Sequence, residues 1–339
     1  MSKQSMATDQ AEAGNLTYFA FIDPERAVPL AGSEPPPAPA TPTFSPQALP
    51  EVLGGRYRLE RLLGVGGMGA VYRARDLLRE QFGDPDPYVA LKVLSEEFAE
   101  YPDASALLYS EYALTMRLRH PHVVRLHSFE VDTACQRAFI TLELMRGLTL
   151  DQLLSERPQG LPWDEFREVA GALLDALAYS HERGVLHGDL KPSNVMLGED
   201  GLRLFDYGLG QARDGLLDGL PKLCRARIAA WTPRYAALEL LEGAPLSPAS
   251  DLYAVACVLY ELLCGTHPYR RLNAKQAKAM QLEQQLAPPA QLPRPAWQAL
   301  RCALALNEAD RQISVAQLRD AFHTLPPQGL RRWFRWRNG

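Results

Sequence analysis

Apolar and polar positions alternate over residues 57–63 and again over 70–76, on either side of a glycine-rich turn, which predicts two paired strands. Tyr88 to Leu94 predicts a third strand, and Ala138 to Met145 reads as a further apolar strand. A helical period appears over 104–118 and over 163–182. In the second stretch Phe166, Val169, Ala170, Leu173, Leu174, Leu177 and Ala178 recur every three to four residues and share one face. From Asp251 onward the pattern is mostly helical. The longest apolar run, Leu252 to Cys264, is interrupted by Glu261 and is too short for a membrane span, so it predicts a buried helix. A strand-rich first third followed by a helix-rich remainder implies an α+β chain of two lobes. Ahead of it, residues 1–30 are weakly patterned, with Tyr18-Phe19-Ala20-Phe21-Ile22 as a short strand or docking motif. Residues 31–50 carry Pro35, Pro36, Pro37, Pro39, Pro42, Pro46 and Pro50 and read as an extended linker. The organisation is a segment and linker over 1–55, a globular region over 56–325 and a basic, aromatic tail over 326–339.

Composition narrows the picture. With 339 residues the chain holds one large domain or a few small ones, and 47% apolar content is ordinary for a globular protein. A net charge of −4 offers no general attraction to nucleic acid. The five cysteines (Cys135, Cys224, Cys257, Cys264, Cys302) are odd in number and scattered, never as Cys-x-x-Cys. That argues against a disulfide framework or a zinc site and for a reducing, cytoplasmic compartment. Asp9, Glu12, Asp23 and Glu25 break up the first thirty residues, so no secretory signal is apparent.

Chemistry concentrates in His187-Gly188-Asp189-Leu190-Lys191-Pro192-Ser193-Asn194, followed twelve residues after Asn194 by Asp206-Tyr207-Gly208. A carboxylate for an acceptor hydroxyl, a cation for a moving phosphate, and an amide with a second carboxylate for a metal form the set that phosphoryl transfer requires. Gly64-Val65-Gly66-Gly67-Met68-Gly69 fits Gly-x-Gly-x-x-Gly, which dinucleotide-binding folds also use, and Asp84 lies twenty residues after Gly64 where a ribose-binding acid would sit. A dinucleotide site needs a helix after the glycines. Ala70-Val71-Tyr72-Arg73-Ala74-Arg75 instead looks like a strand, so the glycines cap a hairpin able to lie over a triphosphate. His120-Pro121-His122 is not read as a metal pair, because no acid or cysteine lies near it.

In this order the motifs resemble a protein kinase, and specifically the eukaryotic-like serine/threonine kinases of bacteria, over roughly residues 57–322. Val89-Ala90-Leu91-Lys92 matches the kinase third strand, Lys-Pro-Ser-Asn resembles the serine/threonine form of the catalytic loop, and Ala237-Leu238-Glu239 resembles Ala-Pro-Glu. The resemblance implies a bilobal fold, an antiparallel-sheet N-lobe with one main helix and a mostly helical C-lobe. It also implies ATP with Mg2+, or Mn2+ in its place, as cofactors and protein Ser/Thr hydroxyls as acceptors. Gly64, Gly66 and Gly69 would donate to phosphates, and Val71 would cover the adenine. Lys92 would hold the α- and β-phosphates with Glu111 as its partner. The backbones of Glu143 and Met145 would bind the adenine edge, with Leu142 as gatekeeper. Asp189 would take the acceptor proton, Lys191 would neutralise the transferring phosphoryl group, Thr232 would complete the acceptor site, and Asn194 and Asp206 would hold the metal. Asp251 would anchor the catalytic-loop backbone and Glu239 would pair with Arg311. The rival expectation is a pseudokinase scaffold that binds nucleotide or protein partners.

Three departures stand out: Tyr207 replaces phenylalanine, Leu238 replaces proline, and Gly188 stands where many kinases carry arginine. That arginine pairs with a phosphorylated activation loop. Residues 209–231 contain no Ser, Thr or Tyr, so the switch lacks receptor and ligand together and activity is expected without activation-loop phosphorylation. Lys222, Arg225, Arg227 and Arg234 in and after that loop suit acidic substrates or are simply solvated. Ser33, Thr41, Thr43 and Ser45 are candidate phosphate acceptors. The tail Leu330-Arg331-Arg332-Trp333-Phe334-Arg335-Trp336-Arg337 suits contact with an anionic membrane surface or an acidic partner, or packing on the domain itself, and no specific nucleic acid is expected.

Overall fold

The computed structural model describes residues 18–21, 49–66, 69–94, 104–212 and 228–323. The linker phosphate acceptors, Gly67 and Met68, Lys222, Arg225 and Arg227, and the Arg/Trp tail lie outside them. The chain forms two compact units. One takes residues 1–113, 126–144 and 219–232, and the other takes 114–125, 145–218 and 233–339.

The first unit is built on a six-stranded antiparallel sheet. Its strands are β2 (Val52–Leu53), β3 (Tyr57–Gly66), β4 (Gly69–Asp76), β5 (Tyr88–Leu94), β6 (Leu126–Asp132) and β7 (Arg137–Leu142), in the order β2-β3-β4-β5-β7-β6. β4 shows why the alternation predicts strand: Ala70, Tyr72 and Ala74 point into the core while Arg73 and Arg75 lie on the other face. The core gathers Leu53, Tyr57, Tyr72, Val89, Leu91, Val93 and Phe139. A short helix α1 (Leu77–Gln81), capped by Asp76, and the main helix α2 (Ala104–Thr115) complete the sheet unit. The helical period extends to 118 in the sequence, but the helix ends at Thr115, and the chain turns through Arg117 and Leu118 to reach the His-Pro-His segment. In the same unit a separate two-stranded sheet pairs β1 (Tyr18–Phe21) antiparallel with β13 (Ile228–Trp231).

The second unit is mostly helical. α3 (Leu150–Glu156) leads to α4 (Trp163–Glu182), which buries Phe166, Val169, Ala170, Leu173, Leu174 and Leu177 on one face and carries Asp164 and Glu165 in its first turn, where the helix dipole favours acids. Short strands β8 (Gly147–Thr149), β10 (Val195–Gly198) and β11 (Gly201–Leu204) form a three-stranded sheet, and β9 (Val185–Leu186) pairs with β12 (Gln211–Ala212). α5 (Leu238–Leu241) precedes α6 (Pro248–Cys264), the run read as a buried helix. α6 is buried nearly all round, starts on a Ser247–Ser250 capping box with Pro248 at its first position, and stops at left-handed Gly265. A Cβ at Gly265 would collide with the Pro158 carbonyl, so two constraints select glycine there. α7 (Ala274–Ala279), α8 (Arg294–Ala303) and α9 (Val315–His323) follow, with α9 against α4.

Candidate active site

In the sheet unit, β3 and β4 meet with Gly66 opposite Gly69, so the glycines flank a hairpin and a strand follows them. The dinucleotide alternative fails here, and the Asp84 carboxylate is committed to Arg79 Nε (2.8 Å) and the Asp86 N–H (2.9 Å). Gly69 has a packing reason of its own: a Cβ there would collide with the Val93 carbonyl on the neighbouring strand. Gly64 meets no such obstacle. Val71 on β4 sits opposite Lys92 on β5, and Lys92 sits opposite Ile140 on β7. The Lys92 Nζ donates to both carboxylate oxygens of Glu111, at 2.7 and 2.8 Å. The two side chains are only 12% and 7% exposed, so the ion pair is largely desolvated. Leu142 ends β7 buried, and Glu143 follows half-buried. Thr232, directly after β13, is buried.

In the helical unit the catalytic-loop residues converge. Lys191 Nζ donates to the Asp189 carboxylate at 2.7 Å, both side chains being nearly buried. Asn194 Nδ2 donates to the Asp189 carbonyl at 2.8 Å, which leaves Oδ1 as the amide atom for a cation. Met145 lies half-buried where the chain enters this unit. Asp206 adopts a left-handed backbone (φ 67°), a strained conformation for a residue with a side chain. It is braced on its amino side: the Phe205 N–H donates to the Asn194 carbonyl (3.1 Å), and the Phe205 carbonyl accepts from His187 Nε2 (3.1 Å). His187 Nδ1 accepts from the Asp189 N–H (3.3 Å), so the network assigns the proton to Nε2.

Asp251, at the start of α6, organises this loop. Its carboxylate accepts from the His187 N–H (2.8 Å), the Gly188 N–H (2.9 Å) and His181 Nε2 (2.9 Å). Burial alone would raise its pKa, but the hydrogen bond from His181, the nearby imidazoles and the backbone N–H donors outweigh it and hold the group below its ordinary value. Gly188 itself has φ 82°, where a side chain would add strain. Glu239 forms a buried ion pair with Arg311, whose Nη1 also donates to the Ala305 carbonyl (2.8 Å). Tyr235 donates to Glu261 at 2.6 Å and packs edge-on against His267. His120 stacks on Tyr179 (5.0 Å) and its Nδ1 accepts from the His122 N–H, while His122 Nδ1 lies 3.2 Å from the Leu202 carbonyl. Packing thus occupies these rings.

His181, Ser180 and Glu261 are not among the residues singled out from the sequence. His181 and Ser180 sit on α4 among small and apolar residues, and Glu261 reads as an interruption of an apolar run. Only their partners in space mark them.

The oxygen pair of Asn194 and Asp206 fits Mg2+, which prefers carboxylate and carbonyl donors and retains several waters. Among the described residues no group of three or more His, Cys, Asp or Glu could hold a metal, and Cys135, Cys257, Cys264 and Cys302 are free thiols. Among the same residues no helix is long and apolar enough to cross a membrane.

Comparison with known proteins gives consistent matches. The family model described as protein kinase domain matches residues 57–321. The serine/threonine-protein kinase PkaA of Streptomyces coelicolor is 35% identical over 275 residues, covering 76% of this chain and 48% of that protein. Serine/threonine-protein kinase pkn3 of Myxococcus xanthus is 34% identical over 273 residues, covering 77% and 48%. The chain thus spans about half the length of these relatives. The crystal structure of the Mycobacterium tuberculosis PknI kinase domain superposes with a TM-score of 0.58 at 28% identity, covering 80% of this chain and 97% of that one.

Proposed function

The chain belongs to the protein kinase family, and from that premise we propose that it transfers the γ-phosphoryl group of Mg–ATP to Ser or Thr hydroxyls of proteins, itself included, without phosphorylation of its activation loop. The observation that carries the reading is the pinned cluster of Asp189, Lys191 and Asn194 on a loop whose backbone is held by buried Asp251.

Each residue then has a task that its surroundings suit. Asp189 orients the acceptor hydroxyl and accepts its proton at the carboxylate. Lys191, already beside that carboxylate, offsets negative charge on the transferred group. Lys92, held by Glu111, binds the α- and β-phosphates, while the backbone of Gly64, Gly66 and Gly69 donates to the phosphates and Val71 covers the adenine. The backbones of Glu143 and Met145 take the adenine edge, and Thr232 completes the acceptor site. Asn194 and Asp206 hold the metal, and when bound Mg2+, or Mn2+, neutralises charge on the phosphates. The kinase domain occupies 56–325, between the 1–55 segment and the 326–339 tail.

Independence from loop phosphorylation is supported by Gly188, by the lack of any hydroxyl side chain over 209–231, and by β1. Pairing with β1 gives the backbone just ahead of Thr232 hydrogen-bonding partners from unmodified main chain. The protein acts in the cytoplasm on protein substrates, with the tail contacting an anionic membrane surface or an acidic partner and no specific nucleic acid involved.

The test is transfer from labelled Mg–ATP to the protein and to a generic substrate, with Asp189→Asn beside wild type. Transfer to Ser or Thr that the variant loses is the expected result. ATP binding without transfer, persisting when candidate activators are added, would favour a pseudokinase scaffold instead.

A further inference from the structure

Tyr207 follows the metal-holding Asp206, and its ring is fully buried against His187, with centroids 4.6 Å apart. A phenylalanine would fill that space equally well, so the hydroxyl needs its own account. It lies 2.8 Å from Ser180 Oγ on α4, and Ser180 is also fully buried. The Ser180 hydroxyl has one proton, which it donates to the Ala176 carbonyl at 2.9 Å. Tyr207 is therefore the donor and Ser180 Oγ the acceptor.

The consequence concerns Asp206. A left-handed residue with a side chain persists only where its neighbours over-determine it. On the amino side, Phe205 is held through both of its backbone polar groups. On the carboxyl side the Tyr207 carbonyl accepts from the Gly210 N–H at 2.8 Å, and its side chain is tied to α4 by the Ser180 hydrogen bond. Withdrawing the ring from its pocket would leave a buried hydroxyl unmatched in transit, a cost a phenylalanine never meets.

We propose that Ser180 is a positioning residue for the metal site: its hydroxyl latches Tyr207 into the interior and so holds Asp206 in its metal-binding backbone conformation. The inference rests on the kinase reading of Asp206. It gives a role to a serine whose hydroxyl bonds only within the fold, to Ala176 and Tyr207. It also makes the tyrosine at 207 a device rather than a neutral replacement.

The experiment measures binding of a non-hydrolysable ATP analogue to the full chain by calorimetry across a magnesium titration, with a thermal melt of each variant. Ser180→Ala should raise the magnesium concentration needed for half-maximal binding by about 5- to 10-fold, the effect of one buried hydrogen bond, with metal-free nucleotide affinity unchanged. In the Tyr207→Phe background, where the hydroxyl is gone and an apolar pair remains, Ser180→Ala should shift the magnesium requirement by less than about 2-fold. An equal shift in both backgrounds, or a lowered melting temperature with no change in magnesium dependence, overturns the latch and leaves the kinase reading intact. Absence of any magnesium-dependent nucleotide binding by wild type overturns the kinase reading, and the latch with it.

Discussion

Asp189 and Lys191 stand two residues apart, and their 2.7 Å contact shows that a two-residue spacing suffices to bring carboxylate and ammonium together. Replacing Asp189 with asparagine keeps the shape and removes the proton acceptor. Phosphate transfer should fall by roughly 10²- to 10⁴-fold while ATP affinity changes little, which steady-state kinetics beside calorimetry would check. Lys92 has a different sensitivity, because its partner is buried with it. Lys92→Met leaves Glu111 buried without its cation, so both nucleotide affinity and the melting temperature should drop. The paired variant Lys92→Met/Glu111→Gln should regain the melting temperature but not the affinity. Gly188 makes the opposite kind of claim. Protein shown by mass spectrometry to carry no phosphate between 206 and 239 should still phosphorylate substrate, and complete inactivity rescued only by modification of Thr232 would contradict this.

At the scale of elements, α6 acts as the support to which loops are tied. Its first turn supplies Asp251, which holds two consecutive backbone N–H groups of the catalytic loop, and further along it presents Glu261 to Tyr235. The helix is legible in the sequence from Leu252 to Cys264, but its true start is Pro248. That start is set by the Ser247 cap, which also places Asp251 one turn in. The Arg311–Glu239 pair ties the segment after α8 to α5 in the same manner. Arg311→Ala strands a buried carboxylate and should cost about 3–5 kcal/mol, measurable by denaturant unfolding. Because Arg311 lies in no motif that handles phosphate, the residual folded fraction should retain its ATP affinity. The glycine-rich hairpin shows the limit of motif reading at this scale: of its glycines, Gly69 is required by the approach of β5, whereas Gly64 is sterically unconstrained. A Gly69→Val variant should therefore lose fold stability before it loses any phosphate contact.

At the scale of the whole molecule, buried His267 and Asp251 both tie stability to pH. His267 is held neutral, its pKa lowered to about 3, first by burial and then by the neighbouring Arg234 charge. The unfolded chain binds a proton at this residue below its ordinary value of about 6.5 and the folded chain does not, so folding is penalised as pH falls from there toward 3. Asp251 acts in the same sense: its depressed folded pKa contributes stability above the unfolded carboxylate value, and that contribution is lost as pH falls through the folded one. Unfolding free energy should therefore decline between pH 6 and 4, with His267→Asn removing up to about 1.4 kcal/mol per pH unit of the slope. The division of labour between sequence and structure follows from the range of the forces involved. Local periodicity determined β3, β4, β5 and β7 of the sheet and the two long helices, while β2 and β6 escaped it, and the order of the quoted motifs carried the resemblance to protein kinases, because hydrophobic period and loop chemistry act over a few residues. Only the tertiary structure decided that Ser180 meets Tyr207, that His181 shares Asp251 with the loop backbone, and that β1 pairs with β13. Those contacts join positions that range from tens to more than two hundred residues apart. The first two are selected by the burial of a polar group that must find a partner once water is gone, and no spacing along the chain encodes that requirement.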